Sequence, residues 1–212
     1  MPIISMVSTK GGPGKTTLTV CLADFWRRVG QTITCLDMDP SRNLITWIGG
    51  AGLSGMTCVA VDEGDIINAA NAAAGHSDIV LIDVAGYLQQ GMVYAVGVAS
   101  IAVIPCRPAL GEVIEAGRTQ QVILNASRLL NRTILHTALL TQIDRRAEVT
   151  PHTKSQLADF GIPVMESNIA SRTVYQKAWY KRCSPLDLQD TKAQQEIGAV
   201  ADEIMRMVFS HG

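Results

Sequence analysis

Residues 10–17 read Lys-Gly-Gly-Pro-Gly-Lys-Thr-Thr. An apolar run (Ile3, Ile4, Met6, Val7) precedes this stretch and a helical pattern follows it. Strand, glycine-rich loop and helix in that order are the context a phosphate-binding loop requires. The loop's backbone N–H groups and the helix N-terminus together favour a polyphosphate. Gly11, Gly12, Pro13 and Gly14 form the cradle, with Thr17 in the opening helical turn. Lys15 is placed to reach the β- and γ-phosphates, and the Thr16 hydroxyl to bind Mg²⁺. Aligned on Lys15, the strict eight-residue pattern needs glycine at position 9, where this chain has Thr9. A second lysine, Lys10, stands at the front of the loop instead.

Two further segments fit the same chemistry. Ile79-Val80-Leu81-Ile82-Asp83 is a buried-strand pattern ending in a carboxylate, as expected of a group organising a Mg²⁺ shell. Asp37 and Asp39 flank Met38 just before Pro40, and alternation puts both carboxylates on one face of an extended strand end. Ligands of parallel sheets sit beyond the strands' C-terminal ends. The three segments are therefore read as one site.

The Lys-Gly-Gly-x-Gly-Lys-Thr-Thr form resembles the deviant phosphate-binding loop of the plasmid and chromosome partition ATPases and the cell-division-site ATPases. The resemblance implies ATP and Mg²⁺ as cofactors. It implies that Lys10 crosses a dimer interface to nucleotide held by the other subunit. It implies that Asp39 orients the attacking water and that Asp37 supports Mg²⁺ and loop geometry. The catalytic set is thus Lys10, Lys15 and Asp39, and the metal set is Thr16, Asp37 and Asp83. Thr141 occupies the position where the family often has an adenine-contacting Asn. The tetrad Thr141-Gln142-Ile143-Asp144 also faintly resembles a guanine-reading motif, but Gln142 replaces its lysine, so ATP is preferred. After Asp83 the family usually has Thr-Pro-Pro; here Val84-Ala85-Gly86-Tyr87 makes residues 84–91 a candidate switch or partner surface. Arg107 is unusual in a segment that otherwise resembles the family's Pro-x-x-Pro strand end.

Short apolar runs alternating with helical patterns predict an α/β fold, a mainly parallel twisted sheet with helices on both faces, in a single domain over residues 1–212. Strands are expected at 2–8, 32–37, 57–61, 78–83, 100–105, 134–141 and 162–165. Helices are expected at 15–29, 62–74, 111–130, 151–160, 171–182 and 191–209. Gly30 is read as a C-cap, Asp62 and Thr150 as N-caps. No run is long and apolar enough to span a membrane. Apolar residues make up 47% and charged residues 17%, which excludes a disordered chain. The five cysteines are scattered without a Cys-x-x-Cys pair, and this fits a reducing cytoplasm. No cysteine closely follows Asp83, so an iron–sulfur cluster of the kind found in some relatives is not expected.

Formal charge is −1, unevenly spread. Residues 1–117 carry a net −4, residues 118–182 a net +6 and residues 183–212 a net −3. The basic third suggests a nucleic-acid patch. Arg145, Arg146, Arg172, Lys177, Lys181 and Arg182 are its candidates. By resemblance the chain is a slow, partner-stimulated ATPase. It dimerises with ATP, binds DNA without sequence preference on the nucleoid, and segregates a cargo that carries an adaptor protein. Two alternatives stand beside this: a membrane-cycling division-site ATPase and a small-molecule kinase or ligase with the same loop. The first requires a basic amphipathic C-terminus, and residues 204–212 offer only Arg206.

Overall fold

A computed structural model describes residues 1–87, 89–144 and 149–210. Seven strands form one sheet: β1 (Ile3–Met6), β2 (Ile33–Asp37), β3 (Met56–Ala60), β4 (Ile79–Asp83), β5 (Ile101–Cys106), β6 (His136–Ile143) and β7 (Val164–Ala170). Their order is β3-β2-β4-β1-β5-β6-β7 and every pairing is parallel. All seven expected strands are present.

The helices are α1 (Lys15–Arg28), α2 (Asn43–Gly50), α3 (Ile66–Ala74), α4 (Gln89–Val98), α5 (Leu110–Leu129), α6 (Val149–Asp159), α7 (Thr173–Lys181) and α8 (Thr191–Ser210). Alternation along the strands sorts side chains to two faces. Ile4 and Met6 join one core with Leu18, Trp26, Leu44, Trp47 and Ile204. Ile3 and Val7 join the other with Ile66, Met92, Val113 and Leu157. Helices α1, α2, α7 and α8 therefore cover one face, and α3 to α6 the other. Strands buried on both sides need near-continuous apolar runs, and the fully buried β4 and β5 have them.

Two helices go beyond the sequence expectation. In α2, Leu44, Trp47 and Ile48 are buried, and in α4, Met92, Ala95 and Val96. Both sets have i, i+3, i+4 spacing, the stripe of an amphipathic helix. Gly30 follows the α1 C-cap with φ +91°, the left-handed geometry that favours glycine there. Asp62 does stand at the N-cap of a short 3₁₀ turn (Glu63–Asp65) that runs into α3, but its side chain makes no capping bond, and its Oδ1 accepts from Arg42 at 2.9 Å. Thr150 lies inside α6, which already begins at Val149.

The β6–β7 pairing shifts register twice, and Gln142 has φ +53° near the end of β6. Irregularities of this kind bend a strand and re-aim its side chains. They fall where the sheet meets the phosphate loop.

Candidate nucleotide site

The central strand β1 delivers Lys10–Thr17 to the C-terminal edge of the sheet. Gly12 and Gly14 have φ +98° and +100°, a conformation costly for any residue with a Cβ. Gly14 is also the N-cap of α1, and no side chain bonds the first-turn N–H groups there. No acidic residue lies in that first turn. An open helix N-terminus beneath a glycine loop is an anion site by its own electrostatics.

The two lysines occupy different places. Lys15 is buried, and its ammonium donates to the Lys10 carbonyl at 3.0 Å. Burial lowers its pKa, against the opposing pull of Asp83, Asp39 and Glu112. Lys10 points to the rim, where its ammonium pairs with Glu112 at 3.1 Å while 48% of its side chain is exposed.

Asp83 sits at the end of β4, directly beside Asp37 in the sheet register. The Thr16 hydroxyl donates to its Oδ2 at 2.7 Å. Its Oδ1 is buried without a hydrogen-bond partner. Burial pushes the carboxyl up to about 7, reinforced by Asp37 and Asp39 and opposed by Thr16 and Lys15. An orphaned carboxylate oxygen next to a threonine hydroxyl fits a hard divalent cation, which takes oxygen ligands. The residues present therefore suit Mg²⁺.

Asp37 is fully buried, and both of its oxygens are engaged. Oδ1 accepts the Asp39 N–H at 3.0 Å and Oδ2 the Ile45 N–H at 3.1 Å. Its carboxylate braces the segment carrying Asp39. Asp39 in turn accepts the Ser41 N–H at 2.9 Å and hydroxyl at 2.7 Å through Oδ1. Its negative charge acts to raise the pKa of both Lys15 and Asp83.

The Thr141 hydroxyl braces the phosphate loop. It is buried and donates to the Pro13 carbonyl at 2.9 Å, holding the loop. Its proton is thereby committed to the loop backbone, while the residue itself lines a cleft beside the loop. This cleft of about 510 Å³ is lined among others by Pro13, Thr17, Gln142, Ser171, Tyr175 and Trp179. The cleft borders the phosphate loop at Pro13 and Gly14.

Three supports were not anticipated from sequence. First, α5 grips the front of the loop. Thr9 donates twice, its N–H to Thr119 Oγ1 at 3.1 Å and its hydroxyl to Glu115 Oε2 at 2.8 Å, while Lys10 pairs with Glu112. Glu112, Glu115 and Thr119 share one helix face, a spacing visible in the sequence once Thr9 is known to need partners. Second, Arg107 also bonds Glu112, at 2.6 Å. Third, Gly86 backs onto the loop so closely that a Cβ would lie 2.7 Å from the Lys10 carbonyl carbon.

The basic candidates separate. Arg172 is tied to Glu196 by bonds of 2.7 and 3.1 Å, with 17% of its side chain exposed. It is a strut between the β7 end and α8, which corrects its assignment to a DNA surface. Lys177, Lys181 and Arg182 are exposed on α7 and its C-cap, beside Tyr180. Arg145 and Arg146 lie outside the described residues.

Residues 4–178 match the family described as the CobQ/CobB/MinD/ParA nucleotide binding domain. The chain belongs to this family. Among curated relatives, this ParA/MinD-type domain is 26% identical to Protein ParA of Rhizobium radiobacter over 179 residues, covering 82% of this chain and 81% of the relative. It is 23% identical to Maintenance of carboxysome distribution protein A of Halothiobacillus neapolitanus over 208 residues, covering 95% of each. Among solved structures, apo McdA of Cyanothece superposes with a TM-score of 0.81 at 15% identity, covering 96% of this chain and 99% of that one. MinD of Pyrococcus horikoshii complexed with Mg-ADP gives 0.76 at 17% identity, covering 96% and 95%. The doubly covered parallel sheet is the fold of these proteins. Among the described residues, no helix of this ParA/MinD-type domain is long and apolar enough to cross a membrane.

Proposed function

We propose that this chain is a partition-type ATPase that closes into a homodimer on ATP, binds DNA without sequence preference in that state, and positions a large cargo. The observation that carries the reading is the separation of the loop's two lysines. Lys15 serves its own cradle, whereas Lys10 is held at the rim with its side chain half-exposed. Such a cation is poorly placed for its own phosphates and well placed for a neighbour's.

Large apolar side chains stand exposed near that rim. Leu110 (63% exposed) and Ile114 (42% exposed) flank Glu112 on α5, and Tyr87 (67% exposed) follows Gly86 at the loop. Exposed apolar surface rimmed by charge suits a protein interface. ATP closure would bury it. The relatives' names, Protein ParA and Maintenance of carboxysome distribution protein A, support a cargo-positioning role. A MinC:MinD complex among the similar folds supports a protein adaptor.

Within the proposed reaction, Lys15 and the open α1 N-terminus bind and orient the β- and γ-phosphates. Asp39, fixed by Asp37 and Ser41, orients the attacking water. Mg²⁺ held by Thr16, with Asp83 behind it, would neutralise phosphate charge. Phosphoryl transfer depends on positioning and charge neutralisation more than on covalent chemistry. Turnover is slow until an adaptor completes the geometry. DNA phosphates meet Lys177, Lys181 and Arg182, the exposed part of the basic third.

DNA co-sedimentation with ADP, ATP and a slowly hydrolysed ATP analogue tests this reading. DNA should carry the protein down with ATP and the analogue and leave it in solution with ADP. Equal sedimentation in all three states would contradict it.

A further inference from the structure

One carboxylate at the rim serves two cations. Glu112 Oε1 accepts from Lys10 Nζ at 3.1 Å and from Arg107 Nη2 at 2.6 Å. The Glu112 side chain is almost fully covered, while both cations are partly open to solvent. Burial works to raise the Glu112 pKa, but the bonds from Arg107 and Lys10 outweigh it and hold the carboxyl below its usual range.

Stripping a buried carboxylate of its partner is strongly destabilising, because the charge is left uncompensated. If Lys10 were the sole partner of Glu112, moving it would incur that penalty in full. Arg107 is already on the same oxygen. It follows β5 directly, five residues before Glu112 in the first turn of α5, so the pair is local in the chain and does not involve Lys10. Arg107 also reaches over the loop, its Nη2 3.9 Å from where a Cβ on Gly12 would stand.

We propose that Arg107 is a positioning residue that frees Lys10: by compensating Glu112, it lets the Lys10 ammonium leave for nucleotide on a second copy of this chain. In the free protomer Lys10 rests on Glu112. On closure it exchanges that carboxylate for a phosphate oxygen, and Arg107 alone keeps Glu112 paired. The inference rests on the dimer reading above and adds to it the residue that makes the exchange possible.

The test compares wild type, Arg107→Gln, Arg107→Lys, Glu112→Gln and the double variant Arg107→Gln/Glu112→Gln. Sedimentation gives the protein concentration at half-dimerisation with the slowly hydrolysed ATP analogue. A fluorescent nucleotide at dilute protein gives the affinity of the single protomer. Arg107→Gln should raise the half-dimerisation concentration by about tenfold, with protomer affinity within about twofold. The double variant should return to within about threefold of wild type, because an uncharged amide at position 112 no longer holds Lys10. Arg107→Lys should dimerise like wild type. A purely structural role for Arg107 would give no rescue by Glu112→Gln. Wild-type dimerisation in Arg107→Gln, a double variant as weak as the single, or Arg107→Lys as weak as Arg107→Gln overturns the inference and leaves the dimer reading standing. A wild type that remains monomeric with the analogue overturns the dimer reading itself, and this inference with it.

Discussion

Gly86 and Lys10 are in backbone contact: a Cβ on Gly86 would lie 2.7 Å from the Lys10 carbonyl carbon and 2.9 Å from its oxygen. That carbonyl is also the acceptor for the Lys15 ammonium. The segment after β4 thus presses on the atom that anchors the loop's phosphate-binding lysine. Gly86→Ala should push the loop out of shape at a cost of about 1–3 kcal/mol, the range of overpacking changes. Nucleotide affinity should fall more than about tenfold while the circular dichroism spectrum stays native. Unchanged affinity would show that the contact yields without consequence.

Lys15→Ala and Asp39→Ala should separate binding from turnover. The first removes the buried ammonium and should abolish nucleotide binding by calorimetry. The second leaves the cradle intact and removes the group proposed to orient water. Asp39→Ala should bind ATP and dimerise while losing at least about a hundredfold in hydrolysis, the usual scale of such positioning effects. Wild-type turnover would remove Asp39 from the mechanism.

The cations of the basic third should respond in two different ways. Charge reversal at Lys177 and Lys181 should weaken DNA binding and reduce the salt slope by about one unit per lost phosphate contact. Their urea midpoint should not move, since both side chains are exposed. Arg172→Glu should instead lower folding stability by about 3–5 kcal/mol, because it leaves the Glu196 carboxylate facing a like charge. Denaturation curves and salt-dependent DNA titrations of the same variants check both statements.

Much of this was legible in the sequence because the governing constraints are local. A strand, a glycine loop and a helix are consecutive, and carboxylates at 37, 39 and 83 end apolar runs. All seven strands follow from such runs. Helices α2 and α4 were less legible: Asn43–Gly50 is short, and Gln89–Val98 reads as a nearly unbroken apolar stretch. The partners of Glu112, the closeness of Gly86 and the Arg172–Glu196 strut are long-range or backbone relationships. Residue types alone do not encode them, so the sequence does not mark Arg172 as tied to Glu196 or the Thr141 hydroxyl as tied to the Pro13 carbonyl.

Glu203 on α8 closes the outer edge of β7. Its two oxygens accept the N–H groups of Glu166 and Ser167, each at 2.8 Å. Burial works to raise its pKa, but these bonds and Arg206 prevail and hold it below the usual carboxylate range. A carboxyl with a depressed folded pKa stabilises above its unfolded pKa and loses that contribution as pH falls through the folded one. Glu203→Ala should cost about 1–3 kcal/mol at neutral pH through the two stranded N–H groups. The variant should also show less loss of stability than wild type between about pH 5 and about pH 3, values that bracket about 4.3, the reference for a free glutamate. Urea midpoints across that range measure the difference.

The central claim is that two protomers close around two triphosphates, each lending Lys10 across the seam. Mass by light scattering, with the slowly hydrolysed ATP analogue and Mg²⁺, tests it most directly. The mass should double with the analogue, remain that of one chain with ADP, and fail to double in Lys10→Ala. A single-chain mass at saturating analogue, or undiminished doubling in Lys10→Ala, would contradict the account.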